Sequence, residues 1–117
     1  MNMALKADVA IARRENGTEK PIDLVHLSSL TMGDRSLELE ILKMFSGQTT
    51  QFLSSIEAAN DVEAIKRVSH TIKGAAKSIG AFRLADIAAD GEEAGKLDEA
   101  AICAELLSIK SYISEIC

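Results

Sequence analysis

The residues of this sequence best suited to chemistry are a histidine, a lysine three positions later and a glycine four positions later: His70, Lys73 and Gly74. A neutral imidazole is a nucleophile that can take up an activated phosphoryl group and later release it. A lysine three residues along a helix lies beside the imidazole, where it can hold the phosphoryl oxygens. This spacing favours a covalent carrier of phosphoryl groups.

Gly74 strengthens this interpretation. A glycine inside a helix costs about 1 kcal/mol relative to alanine, so its presence needs a reason. Gly74 follows His70 by four residues and therefore shares its helix face. The missing side chain would let the backbone of another protein approach the imidazole.

A helical wheel of residues 61–80 separates the histidine from the predicted core. The apolar residues fall on one side: Ile65, Val68, Ile72, Ala75 and Ile79. His70 lies on the opposite side, and within about 60° of it lie Glu63, Lys66, Arg67, Lys73, Gly74 and Lys77. This pattern therefore argues against a histidine buried in the core. If only the wheel is considered, an incidental histidine on a solvated face explains it.

The charges favour docking to an acidic partner. Residues 61–80 carry a net charge of +2, whereas the whole chain carries -5, which leaves -7 elsewhere. We predict that Lys66, Arg67 and Lys77 contribute to docking. The acidic total argues against a general nucleic-acid binder, which needs a basic face.

The sequence predicts that the elements positioning these residues form an all-α fold. We predict an up-down antiparallel four-helix bundle with a short additional N-terminal helix, because apolar residues recur at 3–4 spacing and the connections are short. Asp23, Asp34 and Asn60 are predicted N-caps, the last in a capping box with Glu63. For the second helix, the predicted inward residues are Leu37, Ile41, Met44, Phe45, Phe52, Leu53 and Ile56.

Composition limits the class of protein. A chain of 117 residues suits one domain, which we place at 21–117, and residues 1–20 are an N-terminal extension, flexible or a short helix. No secretory signal or membrane-length apolar run is present, so we expect a cytoplasmic protein. Two cysteines without CxxC spacing suggest free thiols in a reducing compartment. His26 is the only other histidine, so a metal or haem site is not expected. We predict that His26 lies on the surface.

The segment from His70 to Gly80, HTIKGAAKSIG, resembles the HxxKG(A/S)(A/S)xxxG signature of histidine phosphotransfer (HPt) domains. The following AFRLA is similar to the GAxxLA continuation of the family when Gly80 is included. The segment 24–45 looks like the first two helices of the family. The resemblance covers about residues 22–116.

The resemblance implies roles for individual residues. His70 would be phosphorylated at Nε2, Lys73 would stabilise the phosphoryl group and Gly74 would give the partner access. Glu92 stands where many members carry Gln or Glu near the histidine, and an anion there contributes less to holding a phosphate than Gln does. Gly91 replaces a larger apolar residue, so we expect loose packing around it.

The resemblance also implies the partners. These are response-regulator receiver domains, a hybrid sensor histidine kinase, or both, in a multistep phosphorelay of two-component signal transduction. The chain itself would need no cofactor, since Mg²⁺ would come with the receiver, and we expect a monomer. An autonomous kinase is disfavoured, because no Gly-rich nucleotide loop is present. The alternative that stays open is a helical adaptor with an unused histidine.

Overall fold

The computed structural model describes residues 20–117, and the regular structure of this part is entirely helical. Its helices are α1 Leu24–Thr31, α2 Arg35–Ala58, α3 Val62–Ile79, α4 Phe82–Ala94 and α5 Glu99–Ile116. The predicted fold is confirmed: α2 to α5 form the bundle, and α1 is the short additional helix. The prediction of an extension over residues 1–20 lies outside the described residues, apart from Lys20.

The four longer helices close a ring in which each contacts the next in sequence and α5 contacts α2. Their connections are short, namely Ala59–Asp61, Gly80–Ala81 and Gly95–Asp98. Short connections make consecutive helices antiparallel neighbours. Helix α1 packs against α2 and α3. Within residues 20–117, no helix combines the length and hydrophobicity that crossing a membrane requires.

The core is largely aliphatic, as a chain with few aromatic residues requires. Phe45 and Phe52 of α2 meet edge to face, with ring centroids 5.9 Å apart. Fully buried aliphatic side chains come from every helix and include Leu27, Leu42, Ile72, Leu84, Ile102, Leu106 and Ile109. On α3, Ile72 and Ile79 are buried as predicted, and Ser69 and Ala76 are buried beside them. The other predicted core residues, Ile65, Val68 and Ala75, are only partly buried, so the inward face is rotated slightly from the predicted one.

The buried face of α2 differs from the predicted one in the first half of the helix. Leu37 and Met44 were expected inside, but they are 41% and 68% exposed. Leu42 and Thr49 are buried instead. The inward face is therefore rotated by about one residue, and it includes the polar Glu38, which accepts a hydrogen bond from Thr31 Oγ1 at 3.1 Å.

Aspartates cap the helices that begin after a connection containing one. Asp23 and Asp34 cap α1 and α2 as predicted. The predicted capping box at Asn60 is wrong, because Asp61 caps α3 and accepts from the Ala64 N–H at 2.8 Å. An ionised carboxylate is a stronger acceptor than an amide and also interacts favourably with the helix dipole. Asp98 caps α5 in the same way.

The turn between α3 and α4 also anchors the start of α1. Gly80 has a φ of +84°, and its carbonyl accepts a hydrogen bond from the Asp23 N–H at 2.9 Å. His26 packs edge-on against Phe82, with centroids 5.2 Å apart. His26 is therefore only partly exposed, because its ring packs between α1 and α4.

We expect Gly80→Ala to destabilise the protein more than Gly33→Ala. Both glycines have positive φ, so alanine costs about 1–2 kcal/mol at either position. A Cβ at Gly80 would also lie 2.8 Å from the Asp23 carbonyl oxygen, whereas one at Gly33 would meet nothing within 4 Å. This crowding should add roughly 1–3 kcal/mol. Urea denaturation of both variants measures the difference, and equal losses would contradict it.

Candidate functional site

The hairpin of α3 and α4 brings together two residues that are far apart in sequence. His70 lies nine residues before Ile79, the end of α3, and Glu92 lies ten residues after Phe82, the start of α4. At 1.5 Å per residue, both stand roughly 15 Å from the turn. Because the helices are antiparallel, the two side chains meet at the same level of the bundle.

Small residues let the two helices approach closely beside this pair. A Cβ at Gly91 would overlap Leu97 Cδ1 and lie 2.9 Å from Ser69 Oγ. Ser69 is fully buried. The expectation of loose packing around Gly91 is therefore wrong, since the space of the missing side chain is filled. Ser69 and Gly91 directly precede His70 and Glu92, so the close contact sets the separation of the two functional side chains.

The imidazole of His70 stands in solvent, and one of its nitrogens is held. Its side chain is 68% exposed, and Nδ1 lies 2.8 Å from Oε2 of Glu92. An ionised carboxylate only accepts hydrogen bonds, so Nδ1 carries the proton and donates a hydrogen bond to Glu92. Nε2 then holds the free lone pair of the neutral ring. The arrangement leaves a nucleophilic nitrogen facing away from the bundle.

Glu92 binds Lys73 with its second oxygen. Lys73 Nζ lies 2.6 Å from Glu92 Oε1, and the two side chains are 26% and 29% exposed. The hydrogen bond from Lys73 lowers the pKa of the Glu92 carboxyl, desolvation acts in the opposite direction, and the hydrogen bond from His70 lowers the pKa further. The carboxylate is thus ionised at neutral pH and bridges the imidazole and the ammonium.

The surface around His70 is open on one side and carries both acidic and basic side chains on another. A Cβ at Gly74 would have no neighbour within 4 Å outside its own stretch of helix. A shallow depression of about 340 Å³ beside the imidazole is lined by Glu63, Lys66, Arg67, His70, Thr71 and Glu92. Lys77 is exposed two turns further along α3 and does not line it.

The structure thus brings His70, Lys73 and Glu92 into one cluster, with Gly74, Lys66 and Arg67 around it. The bridging contacts of Glu92 were not predicted from the sequence. The signal for them was available, because residues 70 and 92 are nearly equidistant from the turn at Gly80. In the described part of the chain, no three His, Cys, Asp or Glu residues are grouped so that they could hold a metal ion.

Comparison with known families decides the assignment. The family model described as the Hpt domain matches residues 40–117. The chain belongs to the Hpt domain family. Hpt domains act in histidine phosphotransfer in phosphorelays and interact with receiver domains and kinases. No curated protein and no solved structure gives a significant match to this Hpt chain.

The family match begins within α2 of the Hpt domain and includes α3, α4 and α5. It therefore contains the whole cluster of His70, Lys73 and Glu92. Helix α1 precedes the matched region, although Ile22 and Leu27 are buried in the same core.

Proposed function

We propose that His70 accepts a phosphoryl group at Nε2 from the phosphorylated aspartate of one receiver domain and passes it to another receiver domain. The observation that supports this most is the state of the imidazole. It is 68% exposed, and Glu92 holds its Nδ1, which leaves Nε2 as the free nucleophile. The proposal places the reaction in a multistep phosphorelay, with response regulators or a hybrid sensor kinase as partners.

The transfer step needs little from this chain besides position. The lone pair of Nε2 forms a bond to phosphorus while the bond from phosphorus to the aspartyl oxygen breaks, and the electron pair leaves with the carboxylate. The proton on Nδ1 stays on the ring, where Glu92 accepts its hydrogen bond. Catalysis of phosphoryl transfer is mostly positioning and charge stabilisation, and Mg²⁺ on the receiver would supply the latter.

Lys73 and the basic residues have separate proposed roles. Lys73 binds Glu92 and lies about one helical turn from His70, so it would turn its ammonium from Glu92 to the phosphoryl oxygens. Lys66 and Arg67 line the depression beside His70, where they would face the acidic pocket of a receiver. Gly74 would admit the receiver's backbone.

We propose that the functional domain starts before the family match, at residue 21. Ile22 and Leu27 are 1% and 0% exposed and belong to the core that supports α3. The Asp23 N–H also binds the turn of the α3–α4 hairpin. We further propose that the protein is a monomer. We also place it in the cytoplasm, because the free thiols of Cys103 and Cys117 suit a reducing compartment.

The proposal is tested by mixing the protein with receiver domains of the source organism that carry labelled phosphate, in the presence of Mg²⁺. The label should move to this chain and be lost in acid but not in alkali, as expected of a phosphorus–nitrogen bond. ATP alone should leave the chain unlabelled. If no receiver transfers its label, the protein is a helical adaptor instead.

A further inference from the structure

The groove between α2 and α3 has an apolar half that the other described residues leave open. It measures about 230 Å³, and its walls include Ile41, Met44 and Phe45 of α2 and Ala75 and Ile79 of α3. Phe45 and Ile79 are buried, whereas Met44 is 68% exposed. Exposed apolar surface beside a buried floor is a place where a further apolar group can bind.

The spacing of the residues along this α2–α3 groove fits a helix. The exposed and partly exposed residues that follow its edge on α2 alternate at four and three positions, and two on α3 are three positions apart. They are Leu37, Ile41, Met44 and Gln48 on α2, and Ala75 and Ser78 on α3. Alternation of four and three is the spacing with which one helix packs its side chains between those of another. The groove therefore fits the apolar side of a helix better than an extended peptide.

The segment that precedes the described residues carries an apolar stripe of the same spacing. Leu5, Val9 and Ala12 are separated by four and three positions and would share one face of a helix. From Leu5 to Ala12 a helix measures about 10 Å, which equals the length of α2 from Ile41 to Gln48. The stripe therefore matches the groove in both spacing and length.

The chain enters the domain beside the apolar half of the groove. The Asp23 N–H binds the Gly80 carbonyl oxygen at 2.9 Å, and Gly80 directly follows Ile79 of the groove wall. Residues 13–20 connect the stripe to this point and can span roughly 26 Å when extended, which is enough to turn the segment back along α2. A tethered segment acts at a high effective concentration, so it occupies the groove ahead of a second copy of the chain.

We propose that residues 5–12 bind in the α2–α3 groove as a helix, with the apolar stripe against Met44 and its neighbours. Methionine suits this position, because its flexible side chain adapts to the groups that pack on it. The bound segment would support α3, which carries His70, on the side of α2. This contact does not require phosphoryl transfer by His70, since it is a matter of packing alone.

The test uses the full chain with isotope-labelled methionine methyl groups, observed by NMR with a soluble gadolinium chelate that relaxes exposed methyl groups fastest. Met32 is 93% exposed and does not line the groove, so it is the internal reference. In the wild type, the Met44 methyl group should relax several times more slowly than that of Met32. In the double variant Leu5→Asp with Val9→Asp, the two should relax at similar rates, because a charged stripe no longer binds apolar surface.

The matched control is Ala7→Asp with Ala10→Asp, which adds the same charge on the opposite side of the helix and should leave Met44 protected. A nuclear Overhauser contact between the methyl groups of Met44 and Val9 is expected in the wild type and supplies a second measurement. If Met44 relaxes equally fast in the wild type and in the variant with a charged stripe, the proposal is wrong. Protection that persists in that variant and fades on dilution would also overturn it, because the occupant would then be a second copy of the chain.

Discussion

Replacing His70 with Gln is expected to abolish phosphoryl acceptance while leaving the fold intact. The amide nitrogen of Gln is not nucleophilic, so no covalent intermediate can form. The side chain is 68% exposed and its hydrogen bond is to the partly exposed Glu92. The free energy of unfolding should therefore change by no more than about 0.5 kcal/mol. Transfer of label from a phosphorylated receiver and circular dichroism measure the two quantities.

The matched control is His26→Gln, which should show the opposite behaviour. His26 packs against Phe82 at a centroid distance of 5.2 Å, and losing this contact should cost about 0.5–1.5 kcal/mol of stability. Labelling should remain complete, because His26 belongs to α1 rather than to the cluster around Glu92. Acid-labile label that persists in His70→Gln and disappears in His26→Gln would assign the chemistry to the other histidine.

Replacing Gly74 with Leu should make the domain more stable and a poorer partner. Leucine favours the helix over glycine by roughly 0.5–1 kcal/mol. A Cβ at this position meets no neighbour within 4 Å, so no clash within the domain offsets that gain. The side chain would, however, occupy the space beside His70 through which a receiver approaches. A displacement of about 1 Å between the reacting atoms can slow transfer on the order of 100-fold.

Gly47→Leu is the control for this prediction. Gly47 is also exposed within a long helix, and a Cβ there would meet nothing within 4 Å. It lies on the side of α2 opposite the buried Phe45 and Thr49. Both variants should gain stability in urea denaturation, but only Gly74→Leu should lose transfer rate. Equal transfer rates in the two variants would remove the role proposed for Gly74.

The fold was predictable because its signals are local. Asp23 and Asp34 cap their helices through bonds to residues two or three positions away, and Gly80 and Gly95 end helices with positive φ. Such contacts involve few residues and can be inferred from spacing alone. Asn60 and Asp61 show the limit, since two adjacent residues could both cap α3 and the stronger acceptor does so.

The exact buried face was less predictable, because it depends on the neighbouring helices. Leu42 and Leu37 are equally apolar, yet the first is fully buried and the second is 41% exposed. The periodic pattern of α2 defines a broad stripe, and the positions of α3 and α5 decide which edge of it is covered. Thr49 is buried for the same reason, and its hydroxyl is satisfied there because it donates a hydrogen bond to the Ser46 carbonyl oxygen at 2.6 Å.

The site was predicted as a set of residues on α3, with Glu92 placed near the histidine by the family resemblance, but not as a network. His70, Lys73 and Gly74 share a face of one helix, which follows from their spacing. The contacts of Glu92 depend on how far α4 is from α3, and this distance depends on the small residues Ser69 and Gly91. The wheel of a single helix contains no information about that distance.

The α3–α4 hairpin has a consequence for the synthesis of the protein. All members of the cluster lie between Val62 and Ala94, so they leave the ribosome before α5 does. Closing a chain segment of 22 residues costs little more entropy than closing a short one. The imidazole, its carboxylate and the lysine can therefore meet early in translation, and the last helix completes the core beneath residues that are already neighbours.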